Sequence, residues 1–260
     1  MNFSIPNPPN TFKRAIAAGQ QQMGLWCSLG SAYTVEIAAS ARYDWLLIDT
    51  EHSPTDVLDA MAQLQAAAGY PVHCIVRPAH NDAVLIKRFL DCGAQTLLIP
   101  MVNTAAEAHA AVAAITYPPK GIRGVAGLTR AGRFGRIANY TTTAQDELCL
   151  LVQVETVEAL GNLEAIANTV GVDGVFIGPA DLSASMGYPG QLGHPAVKAA
   201  IADAIARIRA CGKAAGILTT DTAYAKECMA LGTTFTAVGL DVGILARGLE
   251  SLRAQFANHE

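Results

Sequence analysis

Eight short apolar runs, separated mostly by alanine-rich stretches with helical spacing, constrain this chain more than any other feature. They span residues 23–29, 45–49, 72–77, 96–100, 149–155, 174–178, 214–218 and 235–238. A strand that is apolar throughout is buried on both faces, and such strands alternating with helices form a parallel sheet covered by helices. Eight of them predict a closed α/β barrel of the TIM (β/α)8 type. A length of 260 residues suits one such barrel. The chain therefore reads as an N-terminal tail over residues 1–12 and a single barrel domain over residues 13–260.

Composition removes several classes of function. Hydrophobic residues make up 51% of the chain and charged residues 15%, enough to fill a large core. A net charge of −4, without a lysine and arginine cluster of the kind nucleic-acid binders show, argues against nucleic acid as a partner. No uncharged apolar run reaches the ~18 residues needed to span a bilayer, so no membrane partner is expected. The N-terminus lacks the basic and apolar regions of a secretory signal. Cys27, Cys74, Cys92, Cys149, Cys211 and Cys228 are scattered without a C-x-x-C pair and read as reduced side chains of a cytoplasmic protein.

In a barrel the chemistry sits at the C-terminal ends of the strands, so the polar residues there are the candidates. The second run ends in Asp49-Thr50-Glu51-His52, the third in Arg77 and the fifth in Gln153 and Glu155. The sixth passes through Gly178-Pro179-Ala180 into Asp181. One acid at a strand end is more often a cap or a salt-bridge partner than a metal ligand. Glu155 and Asp181 together, as hard oxygen donors, suit Mg²⁺ or Mn²⁺; zinc fits less well, because no histidine or cysteine lies at ligand spacing. His52, among carboxylates at a strand mouth, reads as a general base. Arg77 either braces the rim or offers its fork of donors to a carboxylate or a developing enolate oxygen. Asp91, taken alone, is a solvated or capping residue. The turn from Gly178 to Asp181 opens a helix, whose first N–H groups suit the carboxylate of a small α-keto acid. All six lysines fall on predicted helices, loops or the start of a strand, which argues against a Schiff-base mechanism. Residues 117–143, rich in glycine and arginine, read as an active-site loop or a subunit contact.

Longer motifs carry a resemblance. Gly24-Leu25-Trp26, Trp45-Leu46-Leu47-Ile48-Asp49 with Glu51-His52, Arg77-Pro78 with Asn81-Asp82, and Tyr117-Pro118-Pro119 with Gly121-Ile122-Arg123-Gly124 belong to it. So do Gln95 to Val102, Leu151-Val152-Gln153-Val154-Glu155-Thr156, and Asp173 to Ser183 with Met186-Gly187-Tyr188. Together they resemble the HpcH/HpaI class II pyruvate aldolases, from about residue 12 to 250. That resemblance implies a TIM barrel whose last helix swaps between partners, a homo-hexamer built as a trimer of dimers, and a divalent cation, Mg²⁺, Mn²⁺ or Co²⁺, as cofactor. It implies reversible aldol cleavage of 4-hydroxy-2-oxo acids, such as 4-hydroxy-2-oxoheptanedioate, to pyruvate and an aldehyde. By motif, Glu155 and Asp181 would bind the cation and Gln153 would support the substrate. Arg77 would stabilise the pyruvate enolate. His52 with Asp91 would form a proton-transfer dyad, with Asp49 nearby. Gly178, Pro179 and Ala180 would hold pyruvate through the backbone, and Leu218 would narrow the aldehyde end.

Two departures from the family pattern touch that aldehyde end: Ala126-Gly127-Leu128-Thr129 in a shortened loop, and Thr219-Thr220-Asp221 in place of a more apolar continuation. Alternative readings are an aldolase for 2-keto-3-deoxy sugar acids, a lyase for CoA esters, and a barrel that binds a keto acid without catalysis. The CoA reading would need a basic groove for nucleotide phosphates, and the sequence offers no cluster for one.

Overall fold

Each apolar run becomes a strand in the computed structural model, which describes residues 4–256. The strands are β1 (Gln22–Cys27), β2 (Trp45–Asp49), β3 (His73–Arg77), β4 (Thr96–Ile99), β5 (Cys149–Val154), β6 (Gly174–Ile177), β7 (Ala214–Leu218) and β8 (Phe235–Leu240). All pair in parallel with their sequence neighbours, and β8 pairs back to β1, closing the barrel. The helices are α1 (Thr11–Ala17), α2 (Ala32–Ser40), α3 (Val57–Ala67), α4 (Ala83–Asp91), α5 (Ala105–Ile115) and α6 (Tyr140–Glu147), followed by α7 (Val157–Gly161), α8 (Leu163–Ala167), α9 (Pro179–Ser185), α10 (Pro195–Ala210), α11 (Thr222–Leu231) and α12 (Asp241–Ala254). Capping boxes at Asp56 with Asp59 and at Thr104 with Glu107 start α3 and α5 by satisfying helix N–H groups that have no intrahelical acceptor. Among the described residues no helix is long and apolar enough to cross a membrane. All six cysteines are free thiols, half-buried or buried.

Strand side chains alternate between two apolar cores. Ile48, Val76, Val152, Val154, Val175 and Ile177 face the surrounding helices, whereas Leu47, Ile75, Leu151 and Phe176 fill the barrel interior. A two-residue period then sends the next alternate positions inward at the C-terminal end: Asp49, Arg77, Gln153, Glu155 and Gly178. Register holds them level, with Asp49 opposite Arg77 and Gln153 opposite Phe176. Where the largest interior rings cross the barrel, the facing strand has no room for a side chain. A Cβ at Gly24 would lie 2.1 Å from the Trp45 indole, and one at Gly216 would lie 2.2 Å from the Phe235 ring.

The opposite end of the barrel is floored by residues expected to belong to the tail. Asn10 is fully buried and caps α1; its Nδ2 donates to Thr96 Oγ1 at 3.0 Å. Phe12 stacks on His73 at 5.4 Å and meets Trp45 and Phe235 edge-on at 6.1 and 5.9 Å. The boundary drawn at residue 12 thus falls inside α1, because the barrel needs an apolar plug there. Residues 117–143 run along the outside of the barrel rather than over its mouth, with the buried Arg123 guanidinium 4.4 Å from the Tyr117 ring centroid.

Phe12→Ala should leave a cavity among three aromatic rings and lower unfolding free energy by about 3–5 kcal/mol, measured by urea titration. A loss under about 1 kcal/mol would show that the floor is not part of the cooperative core.

Candidate active site

Asp49 and Arg77, adjacent on β2 and β3, form the centre of the polar layer. Arg77 Nε donates to Asp49 Oδ1 at 2.9 Å and Nη2 to Oδ2 at 2.7 Å. Trp26 Nε1 also donates to Asp49 Oδ2, at 3.2 Å, and its ring lies 4.9 Å beneath the guanidinium carbon. The third guanidinium nitrogen, Nη1, lies 2.7 Å from Glu51 Oε2. Burial opposes ionisation of Asp49, but the hydrogen bonds and charge of Arg77 outweigh it and hold the carboxyl below its ordinary value. Glu51 goes the other way: burial raises it despite Arg77. The backbone N–H groups of Glu51 and His52 turn back onto Asp49 Oδ1 at 3.0 and 3.4 Å, which sets the loop that carries His52 to the pocket rim.

Across the mouth stand Gln153, Glu155 and Asp181. Glu155 is 2% exposed; one of its oxygens accepts from the Met101 N–H at 2.9 Å and the other from Gln153 Nε2. Burial, followed by the nearby charges of Asp181 and Glu51, pushes its carboxyl up to about 7 against these hydrogen bonds. The Gln153 carbonyl oxygen is buried with no hydrogen-bond partner. Met101 holds a left-handed backbone, φ 53°, a conformation that costs a non-glycine residue about 1 kcal/mol and here aims its N–H at Glu155. Gly178 permits the arrangement: a Cβ there would lie 2.4 Å from Glu155 Oε2 and 2.9 Å from Glu155 Cβ.

These donors fit a hard divalent cation. Two carboxylates and a buried amide oxygen without a partner gather oxygen donors at one side of the mouth. Among the described residues no three His, Cys, Asp or Glu side chains form a metal cluster, so a cation held by Glu155 and Asp181 would need solvent or substrate to complete its shell.

The pocket, about 300 Å³, is lined by nearly every residue the sequence singled out: Asp49, His52, Arg77, Gln153, Glu155, Gly178, Pro179, Ala180, Asp181 and Leu218. No lysine lines it. Gly178 contributes differently from expectation, because its N–H is taken by the Val154 carbonyl at 3.1 Å and Pro179 has none. The first turn of α9 therefore presents the N–H groups of Ala180 and Asp181. Asp91 is not brought to His52. It lies at the C-terminal end of α4, toward the barrel floor, with its Oδ1 3.0 Å from Arg123 Nη2. Trp26 and Met101 are site residues that the sequence reading does not assign, and Glu51, a strand-end candidate there, has no role in it. Trp26 and Glu51 carry a signal, an indole in an inward strand position and an acid two residues beyond a strand-end aspartate; Met101 carries none.

A family model described as HpcH/HpaI aldolase/citrate lyase matches residues 22–247. The chain is 63% identical over 250 residues to the pyruvate aldolase of Rhizobium etli, covering 96% of this chain and 98% of that one. It is 56% identical over 248 residues to the 4-hydroxy-2-oxo-heptane-1,7-dioate aldolase of Salmonella arizonae, covering 95% and 94%. The crystal structure of a HpcH/HpaI aldolase/citrate lyase family protein from Burkholderia cenocepacia superposes with a TM-score of 0.92 at 40% identity, covering 95% and 98%.

Glu155 ties metal binding to pH. Its folded value of about 7 lies above the ordinary 4.5, so the fold without metal is favoured while Glu155 is protonated. It loses on the order of 3 kcal/mol as pH rises through that interval. A cation takes only the ionised form. Mn²⁺ should therefore raise the melting temperature several-fold more at about pH 8 than at about pH 5.5, by scanning fluorimetry. Equal increments at both would remove Glu155 from the ligand set.

Proposed function

The chain belongs to the HpcH/HpaI aldolase/citrate lyase family and is a carbon–carbon lyase of the pyruvate aldolase type. On that premise we propose that it reversibly cleaves a 4-hydroxy-2-oxo acid, such as 4-hydroxy-2-oxoheptanedioate, to pyruvate and an aldehyde, with a divalent cation held by Glu155 and Asp181. The observation that carries this reading is the charge division of the mouth: a guanidinium fixed by Asp49 on one side, and a buried, elevated carboxylate beside an orphan amide oxygen on the other.

The cation, when bound, supplies positive charge that lowers the energy of an enolate oxygen. Arg77 adds a second, preorganised positive charge where negative charge develops, and its pairing with Asp49 removes the need to reorient. In the cleavage direction His52 takes the proton of the C4 hydroxyl. The C3–C4 bond breaks, its electron pair passes into the enolate of pyruvate, and the aldehyde departs. Delivery of a proton to C3 then forms the pyruvate methyl group. The N–H groups opening α9 hold the substrate carboxylate.

Metal-dependent exchange of the pyruvate methyl protons in heavy water, followed by NMR, tests this without any aldehyde. Exchange should require Mg²⁺ or Mn²⁺, stop with excess chelator, and slow by ~100-fold or more in His52→Ala. Exchange at the wild-type rate in that variant would assign the proton transfer to another base, and none in the wild type would remove the pyruvate reading.

Assembly belongs to the same proposal. His52 and Asp91 stand at opposite ends of one barrel, so a dyad between them requires two copies. The helix α12 has no buried residue and exposes Ile244, Leu245, Leu249 and Leu252, a surface suited to a partner. Native mass spectrometry should give six copies; a monomer would exclude the dyad.

A further inference from the structure

A second cleft, about 330 Å³, continues from the catalytic pocket past Pro179, Ala180, Leu218 and Leu240, which line both. A molecule attacked by an enolate in the first space would extend into the second. The far part of this groove changes character: Leu192 and the Tyr224 ring provide apolar wall, Thr219 and Thr220 polar groups, and Lys198 an ammonium.

The placement of Lys198 is specific. Its Nζ sits 4.2 Å from the centroid of the buried Tyr224 ring, a contact that fixes the ammonium electrostatically and leaves its N–H donors for an anion. Glu227 Oε2 is 3.9 Å away, but that carboxylate is 57% exposed, and an exposed pair at such a distance competes weakly. The cleft's acid, Asp221, has Oδ1 committed to the N–H groups of Ala223 and Tyr224 as the cap of α11. The groove therefore runs from the reaction centre along an apolar wall to a held positive charge.

We propose that this cleft is the acceptor subsite and that Lys198 selects aldehydes carrying an anionic group a few carbons from the carbonyl. The assignment rests on the pyruvate aldolase reading of the adjoining pocket.

The test compares kcat/KM for addition of pyruvate to paired acceptors, succinate semialdehyde with butanal and glyceraldehyde 3-phosphate with glyceraldehyde. The wild type should prefer the charged member of at least one pair, and which pair identifies carboxylate or phosphate. Lys198→Met should lower that charged-to-neutral ratio about tenfold or more, the scale of one charge-assisted hydrogen bond, whereas Lys198→Arg should keep it within about threefold. Because each ratio is taken within one protein, partial misfolding of a variant cancels. No preference in the wild type, or an unchanged ratio in Lys198→Met, overturns the assignment. Absence of metal-dependent methyl exchange in the wild type, read without any aldehyde, instead overturns the pyruvate reading and the acceptor subsite with it.

Discussion

The Arg77 guanidinium organises the barrel mouth. Its three nitrogens and one face are engaged within the chain, by Asp49, Glu51 and the Trp26 ring, so its position is determined before any substrate arrives. A buried ion pair of this kind adds little to stability, because the desolvation of both charges offsets their attraction. Its effect is geometric. Removing Asp49 would leave a buried positive charge free to reorient, and removing Arg77 would leave the buried Asp49 and the half-buried Glu51 without that counter-charge.

Opposite this ion-paired half lies one of a different character. Glu155 is pushed toward protonation by burial and by its acidic neighbours, Gln153 has a carbonyl oxygen with no partner, and the strained Met101 backbone is retained to hold one carboxylate oxygen. The fold tolerates these costs only because the interior beneath is closely packed. Trp26, Phe176, Phe235, Trp45 and Phe12 stack from mouth to floor, with centroid separations of 5.5 to 6.3 Å between neighbours. The polar layer thus stands on a rigid aromatic column rather than on loops.

Much of this was readable in the sequence, because barrel strands carry their signal locally. An apolar run of four to six residues that ends on a charged side chain marks a buried strand and its functional end together, as at Trp45 to Asp49 and Cys149 to Glu155. Strand ends differed from expectation by one or two residues, where hydrogen-bonded pairing and apolar character stop at slightly different places. Residues 10–12 were misjudged for the opposite reason: a short segment before the first strand has no periodicity to announce that it plugs the floor. Met101 was silent because its role belongs to the backbone, and a backbone angle has no side-chain signature. Asp91 looked relevant only through a motif, and within one chain its helix carries it to the wrong end of the barrel.

The sequence by itself determined that eight parallel strands would close on one another and that Asp49, His52, Arg77, Gln153, Glu155 and Asp181 would gather at their C-terminal ends, since hydrophobic run length and two-residue alternation are properties of neighbouring residues. Tertiary structure alone decided which acid is satisfied and which is elevated, which N–H groups remain free beside Gly178, and that the catalytic pocket opens into a cleft ending at Lys198. Those outcomes depend on register between strands, on burial, and on the approach of side chains far apart in the chain, none of which is encoded in any local stretch.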